Sequence, residues 1–283
     1  ICFLYDKLEE YDKALEYYKI LLEIEESIVY EEHKSLSDFF AQIEDNELLT
    51  TFAKRLEKSY SCVGSICRKL GEGHDAVEYY KKALEIRKLL WGDEHEKVAG
   101  LCGDIGDVFL ELEEYHDALE YYKKALEIRK VLCGEENEEV AGLCGDIGIV
   151  FLKLEEYHDA LEYYKKALAI RKRVLGDSHI DTVRSYEYVA LAYYILGEYQ
   201  RSLEYSEKAL EIRMEIDGGD QESIALVYDL IGETYERLKE YRKALEYYKK
   251  ALEIRRSVLG EEHDDTVYVY SCIGFAYEGL GEY

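Results

Sequence analysis

The sequence of 283 residues contains no proline, one methionine and one tryptophan, and its 36 lysine and arginine residues are outnumbered by 62 aspartate and glutamate residues. The formal net charge is therefore −26. A protein that binds nucleic acid needs clustered basic residues to displace counterions from phosphates, so we expect no nucleic-acid partner and, for the same reason, no anionic membrane surface. No segment approaches the roughly 18–20 consecutive apolar residues of a membrane-spanning helix, and no targeting peptide is recognisable at the start.

The cysteines and histidines lack the spacing of a metal site. Seven cysteines are an odd number in a chain too long to need disulfides, which predicts free thiols in a reducing compartment and hence a cytoplasmic protein. Cys62 and Cys67 are five residues apart, and no CxxC or CxxH pair occurs. Most of the histidines repeat at two fixed positions, which gene duplication explains: His74, His116 and His158, and His95, His179 and His263. We therefore expect no metal and no cofactor.

The sequence does contain a long internal repeat. The twelve residues Ala-Leu-Glu-Tyr-Tyr-Lys-Lys-Ala-Leu-Glu-Ile-Arg occur at 118–129 and again at 244–255, with near copies that begin at residues 76 and 160 and a diverged copy at 202. Each step is 42 residues. An earlier copy begins at Ala14, and the interval that follows it is 20 residues longer than the others. Such a period predicts stacked units of supersecondary structure.

Each unit is predicted to be a pair of helices. In the second helix, apolar residues at 118, 122, 125 and 126 form one stripe, and those at 121, 125, 128 and 132 form another on an adjacent face. Because one partner helix covers only one face, the second stripe must pack on the neighbouring unit, which predicts an all-α solenoid. Glu–Lys pairs four residues apart are expected on the exposed faces, namely Glu120/Lys124, Glu162/Lys166 and Glu246/Lys250. Left-handed C-caps are expected at Gly92, Gly134, Gly176, Gly218 and Gly260.

The first helix carries a more specific signature. Cys102-x-x-Ile105-Gly106-x-x-Phe109 is followed by Tyr115, Ala118, Tyr122 and Ala125, and the pattern recurs around Gly148 and Gly232. This pattern resembles the tetratricopeptide repeat (TPR). The 42-residue length and the Val-Leu-Gly-x-x-His segments at 174–179 and 258–263 resemble the kinesin-light-chain subclass of that family. The resemblance implies a right-handed superhelical α-solenoid of stacked antiparallel helix pairs, with about 13–14 helices.

The repeats predict a single array over residues 1–283. Within it we expect a truncated first repeat at 1–34, an insert with an extra helix at 35–57, five 42-residue repeats at 58–262 and a truncated last repeat at 263–283. Because both ends interrupt a repeat, the sequence is expected to be a segment of a longer chain.

Motifs of enzymatic chemistry are not found. The glycine triplets at 100, 103, 106 and at 142, 145, 148 lack the G-x-G-x-x-G spacing of a dinucleotide site, and no Gly-Lys dipeptide of a P-loop occurs. These glycines indicate close helix packing or a shallow surface of small residues, with recent duplication as a simpler account of their repetition. No nucleophile elbow, HExxH or EF-hand loop is present either, so we expect no catalytic residue and no enzyme.

The resemblance to TPR proteins implies a concave face, lined by first helices, that holds an extended peptide or a partner helix. Kinesin-light-chain grooves hold the peptide with asparagine, whereas Asn46 and Asn137 are the two asparagines here and neither lies at that position. The residues that carry over to this face by register are Lys58, Ser61, Ser65, Arg68, Gly103, Asp107, Gly145, Ile149, Arg184, Glu187, Leu191, Asp229, Glu233 and Glu236. They run from basic through small and apolar to acidic, although an ordinary solvated helix position is the simpler interpretation of each one taken alone.

The sequence therefore predicts a non-catalytic scaffold or adaptor that binds a protein or peptide ligand in the TPR groove. An electronegative array attracts positive partners, so a ligand with basic character is expected. The alternative is a regulatory, autoinhibitory or oligomerising arm of a multidomain signalling or cargo-adaptor protein, which would bind other domains of its own chain.

Overall fold

A computed structural model describes residues 10–33, 47–216 and 220–281. These ranges hold twelve α-helices and no strand. The helices are α1 (Tyr11–His33), α2 (Glu47–Lys69), α3 (Gly73–Trp91), α4 (Glu96–Glu111), α5 (Tyr115–Cys133), α6 (Glu138–Lys153), α7 (Tyr157–Val174), α8 (Ile180–Ile195), α9 (Tyr199–Glu215), α10 (Gln221–Arg237), α11 (Tyr241–Val258) and α12 (Asp264–Leu280). The predicted all-α repeat solenoid is confirmed.

The chain divides into two compact units, residues 1–135 and 136–283. The first contains α1–α5 and the second α6–α12, and within each unit every helix packs against the next one along the chain. Even-numbered helices are the first of each pair and are called A helices; odd-numbered helices are the second and are called B helices. The predicted boundary at residue 57 lies inside α2, which continues to Lys69, and residues 34–46, where an extra helix was expected, lie outside the described residues.

The turn from each A helix to its B helix has one conformation, repeated every 42 residues. The second residue after the A helix has positive φ, and its N–H and that of the next residue bond back three and five residues: Glu113 N–H to the Leu110 carbonyl and Glu114 N–H to the Phe109 carbonyl. This is a Schellman motif. The positive-φ residues of the five turns are Gly71, Glu113, Glu155, Gly197 and Lys239.

The left-handed caps were predicted at a different set of glycines, and Gly92, Gly134, Gly176 and Gly260 of that set do have positive φ. At Gly92 and Gly134, however, the ψ values of 164° and 172° are extended rather than left-handed helical, so the predicted cap conformation was wrong there. Gly218 lies outside the described residues. The next A helix is started by a side chain instead, because His95 Nδ1 accepts the Lys97 N–H and Asn137 Oδ1 accepts the Glu139 N–H. The loop histidines thus act as N-caps.

A glycine on each A helix lets a tyrosine of the B helix pack against the backbone. A Cβ at Gly106 would lie 2.8 Å from the Tyr122 ring, and one at Gly148 would lie 2.5 Å from the Tyr164 ring. Gly64 with Tyr80 and Gly232 with Tyr248 repeat the arrangement. In the pair α8–α9 both positions change, since Ala190 replaces the glycine and Ser206 replaces the tyrosine. The A helix gains a methyl group there, but the B helix loses a whole phenol ring.

Arginine at the end of the B helix joins successive helices. Arg87 Nε lies 2.6 Å from Glu57 Oε1 on the preceding A helix, and its Nη1 donates to the Lys97 carbonyl on the next, 2.7 Å away. Arg171 likewise bonds Glu138 and Ser185. The predicted surface pairs are also confirmed for Glu120/Lys124, Glu162/Lys166 and Glu246/Lys250.

Candidate functional site

Two clefts open on the faces formed by A helices, one in each unit. The first cleft, of about 550 Å³, is lined by residues of α2, α3 and α4, among them Ser61, Ser65 and Arg68. The second cleft, of about 440 Å³, is lined by α8, α10 and α12, with single residues from α9 and α11 between them. Its lining includes Glu187, Leu191, Asp229 and Glu233 from the residues predicted by register.

The first cleft is mildly basic, with three cations and two carboxylates in its lining. Arg68 spans from α2 to α4, where its Nη2 lies 2.6 Å from Glu111 Oε1 and its Nη1 lies 3.3 Å from Asp107 Oδ2. Ser61 donates to Glu57. Lys58 is exposed on α2 outside the cleft lining. Of the predicted residues here, Ser61 and Arg68 therefore already have partners within the chain.

The small residues at the middle of the predicted groove have free space beside their backbone, although Gly145 is itself buried and Gly103 half-buried. A Cβ built at Gly103 or at Gly145 would meet no atom within 4 Å, in contrast to Gly106 and Gly148 on the same helices. Close helix packing therefore explains the last glycine of each triplet, whereas a shallow surface of small residues describes the middle one. Ile149 is half-buried, and Asp107 accepts a hydrogen bond from the Tyr122 hydroxyl, 2.7 Å away.

The second cleft is acidic. Four carboxylates and one guanidinium line it: those of Glu187, Asp229, Glu233 and Asp265, and that of Arg255. Between the carboxylates lie aliphatic and aromatic side chains, of which Leu226 is 57% exposed and Tyr268 is 50% exposed. The predicted acidic end of the groove is therefore a cleft that presents negative charge and apolar surface together.

Two of these carboxylates are the partners of the B-helix arginines. Glu187 makes a two-point ion pair with Arg213, with Oε2 2.8 Å from Nη2. Asp229 Oδ2 accepts from Arg255 Nη2, and Arg255 Nη1 donates to the Asp265 carbonyl on α12, 3.1 Å away. Burial raises the pKa of Asp229 to about 7, although the Arg255 guanidinium acts in the opposite direction.

The remaining predicted residues of the second unit have partners as well. Glu233 accepts from the Tyr268 hydroxyl at 2.8 Å, and Glu236 accepts from the Tyr248 hydroxyl at 2.9 Å. Arg184 is exposed, with Nη1 3.5 Å from Asp181 Oδ1. Neither Arg184 nor Glu236 belongs to the lining of the second cleft.

Reasoning from sequence missed the arginines and the serine of this site. Arg213 and Arg255 belong to a series that recurs every 42 residues from Arg87, a signal that was visible in the repeat. Ser206 could have been found as a departure from it, since tyrosine stands at the same position in the other B helices from α3 onward.

Metal-binding groups and membrane-spanning helices are two further features that the described residues could contain. Within residues 10–33, 47–216 and 220–281, no group of three His, Cys, Asp or Glu side chains is arranged to hold a metal ion. None of the twelve helices has the length and apolar character needed to cross a membrane.

Stacked helix pairs with a 42-residue period and clefts between A helices define the molecule as an α-helical repeat protein. The family model described as "Tetratricopeptide repeat" matches residues 55–130, 139–215, 181–257 and 221–283. The chain belongs to the tetratricopeptide repeat family, as its residues suggested. No curated relative matches it in sequence.

Solved structures share the fold at low sequence identity. BtubC (BKLC) from P. vanneervenii is 20% identical, with 90% of this chain and 94% of that chain covered and a TM-score of 0.68. A kinesin light chain from Podosopora anserina with nearly identical TPR-like repeats is 16% identical, with 73% and 98% covered and a TM-score of 0.63. The apo form of RapI is 22% identical, with 98% and 72% covered and a TM-score of 0.65. The fold that the resemblance to kinesin-light-chain repeats implied is thus shared with a solved structure of such repeats.

Proposed function

We propose that this chain is a non-catalytic, cytoplasmic scaffold that binds a protein ligand of basic character on its A-helix faces. The observation that carries the proposal is the second cleft, where four carboxylates and one guanidinium surround exposed apolar side chains. Negative charge beside apolar surface suits a peptide or helix that carries both cationic and apolar side chains. The net charge of −26 would speed the encounter with such a partner.

The intrachain pairs limit which residues are available to the ligand. Glu187 is engaged by Arg213 at two points, so its charge is largely compensated. The side chains of Asp229, Glu233 and Asp265 outnumber the single guanidinium of Arg255 in the same cleft. These three therefore supply the negative potential that we assign to partner binding.

The test is an array of 15-residue peptides of random sequence, probed with the labelled chain at low and at physiological ionic strength. We expect the bound peptides to be enriched in lysine and arginine and the signal to fall as salt rises, because exposed charges are screened. The variant Asp229→Lys/Glu233→Lys should no longer bind these lysine- and arginine-rich peptides. Binding that ignores salt and survives the double charge reversal would contradict the proposal.

A further inference from the structure

The second cleft lies where one tyrosine of the repeat is missing. In the pairs α2–α3, α4–α5, α6–α7 and α10–α11, a tyrosine from the B helix lies directly on a glycine of the A helix. Ser206 occupies that position in α9, where it is buried and lines the second cleft. A serine side chain is far smaller than a phenol ring, so the second cleft has a small hydroxyl where the first cleft has the ring of Tyr80.

The cleft also collects unsatisfied polar atoms. Six buried side-chain nitrogen or oxygen atoms among the described residues have no hydrogen-bond partner, and three of them belong to residues that line this cleft: Ser206 Oγ, Asp229 Oδ1 and Arg255 Nε. Leaving such a group without a partner costs on the order of 1–3 kcal/mol, so a native structure rarely keeps several in one place. Of the three, Asp229 Oδ1 is an acceptor and Ser206 Oγ can accept as well, so a donor group from a ligand in this cleft would find partners there.

Asp229 is the centre of this arrangement. Its side chain is more than nine-tenths buried, and only Oδ2 is used by Arg255, which leaves Oδ1 for another donor. The carboxylates of Glu233 and Asp265 line the same cleft, so the charge around Oδ1 is negative even with Arg255 present. A cationic N–H donor therefore fits this position better than a neutral one.

Apolar surface lies next to this carboxylate. Leu226 stands one helical turn before Leu230 on α10, and together with Leu191 of α8 it forms the apolar part of the lining. The exposure of Leu226 is high for a leucine flanked by other apolar side chains. Covering it would gain roughly 25 cal/mol per Å² of apolar area removed from water.

The array offers this combination at one position of the described repeats. The residues equivalent to Asp229 are Gly103 and Gly145 in two earlier A helices, where no side chain reaches out. At Glu187 an acidic side chain is present, but Arg213 takes both of its oxygens. Specificity is therefore set by α10 rather than by the repeat as a whole.

We infer that the second cleft is a receptor for one two-part anchor of a peptide ligand: a lysine or arginine side chain that donates to Asp229 Oδ1, and a neighbouring leucine-like side chain that covers Leu226. This inference rests on the proposed scaffold function and deepens it by naming the chemistry of the recognised segment. The cation enters the cleft that Ser206 and Glu233 line, and Glu233 adds to the attraction.

Labelled ten-residue peptides in a Gly/Ser background test the inference by fluorescence polarisation with the full 283-residue chain. One series carries leucine and arginine one to three residues apart; matched series replace arginine with glutamine or leucine with serine. We expect the best Leu/Arg peptide to bind about tenfold more tightly than either matched peptide, as a charge-assisted hydrogen bond to a buried group allows.

Variants then locate the anchor. Asp229→Asn should weaken the Leu/Arg peptide about tenfold or more while leaving the Leu/Gln peptide unchanged, since it removes the charge that the arginine meets. The control Asp159→Asn, on the exposed face of α7, should bind as the wild-type chain does. Leu226→Ser, at an exposed position that does not threaten folding, should weaken the peptide that carries leucine.

The decisive variant restores the usual pair of the repeat. Ala190→Gly/Ser206→Tyr gives α8–α9 the glycine and tyrosine found in the other pairs, so it should fold while its new ring takes up part of the cleft, and the Leu/Arg peptide should bind more weakly by about tenfold or more. If this double variant binds as tightly as wild type, or if Asp229→Asn weakens the arginine and glutamine peptides equally, the anchor is overturned. Salt-sensitive binding to the random array would persist in that case, so the scaffold proposal would stand alone.

Discussion

Glu25 of α1 and Arg55 of α2 form an ion pair whose polarity is the reverse of that in the later repeats. In those repeats the B helix supplies the arginine and the A helix the carboxylate, whereas here the B helix supplies the carboxylate. Arg55 Nε lies 2.6 Å from Glu25 Oε1, and Glu25 occupies the B-helix position that is arginine in the later repeats, beginning with Arg87. The Glu25 side chain is fully buried, whereas that of Arg55 is largely exposed. The joint between these two helices therefore depends on a carboxylate that only a cation from the neighbouring helix stabilises.

Arg55→Ala should loosen α1, because it leaves the carboxylate of Glu25 buried without its cation. We expect a loss of about 1–3 kcal/mol in the local stability of α1. Hydrogen exchange of the α1 amides measures it, and exposed Lys54→Ala serves as the control. The double variant Glu25→Gln/Arg55→Ala should regain part of the protection; equal exchange in the single and double variants would show that the buried charge is not responsible.

Three of the Schellman turns have a residue other than glycine in a backbone conformation that favours glycine. Glu155 and Lys239 have φ of 61° and 62°, in the left-handed region where a Cβ costs about 1–2 kcal/mol. Glu155→Gly and Lys239→Gly should each raise the free energy of unfolding by about 0.5–1 kcal/mol, the rest being offset by the added freedom of the unfolded chain. Urea denaturation measures the change. Glu156→Gly, at φ −85°, should instead lower it.

Two glycines three residues apart on α6 should respond to alanine in opposite directions. A methyl group at Gly148 would press on the Tyr164 ring, so Gly148→Ala should destabilise the fold by about 1–3 kcal/mol. At Gly145 a methyl group meets no neighbour, so Gly145→Ala should stabilise it by roughly 0.5–1 kcal/mol through helix propensity. Thermal unfolding compares the two. A loss of stability in Gly145→Ala would show that a methyl group at this position does meet a neighbour.

Asp229 should titrate near neutral pH. Its carboxyl is buried and faces Glu233 on its own helix, Arg255 on α11 and Asp265 on α12, and its pKa is raised to about 7. Between about pH 4 and 7 the folded chain then holds a proton that the unfolded chain has lost, so this group's contribution to stability falls as pH rises through that window.

Carboxyl NMR of the chain should show the Asp229 midpoint near pH 7, and Asp229→Asn should remove that part of the pH dependence of unfolding. If Asp229 stays ionised down to pH 4, its ion pair with Arg255 dominates over burial.

Much of this fold could be predicted from the sequence, because residues that recur at the same position of every repeat are expected to pack in the same way. The positions of Gly106 and Tyr122 repeat every 42 residues, and packing one on the other is the simplest reason for it. The Schellman turns were missed because glutamate at Glu113 and Glu155 gives no local signal for a left-handed residue. Tertiary packing of the two helices fixes that turn, whatever its side chain.

The candidate site was harder to predict for a different reason. Register places Glu187 and Asp229 on the face that lines the second cleft, but register says nothing about the arginines that approach from the B helix. Whether a carboxylate is free or paired depends on two helices at once. The change at Ser206 matters only together with its neighbours in space, so one sequence could not show that it lines a cleft with Asp229.

The ion pairs between B-helix arginines and A-helix carboxylates use different positions in different repeats. Their carboxylates come from three successive turns of the A helix: Glu138 and Glu57 lie seven and four residues before the position that Glu187 and Asp229 occupy in their own repeats. A repeat can therefore move its acid along the helix and still hold its neighbour. In α10 the same carboxylate, Asp229, holds Arg255 and lines the second cleft, so a substitution there changes the helix contact and the cleft together.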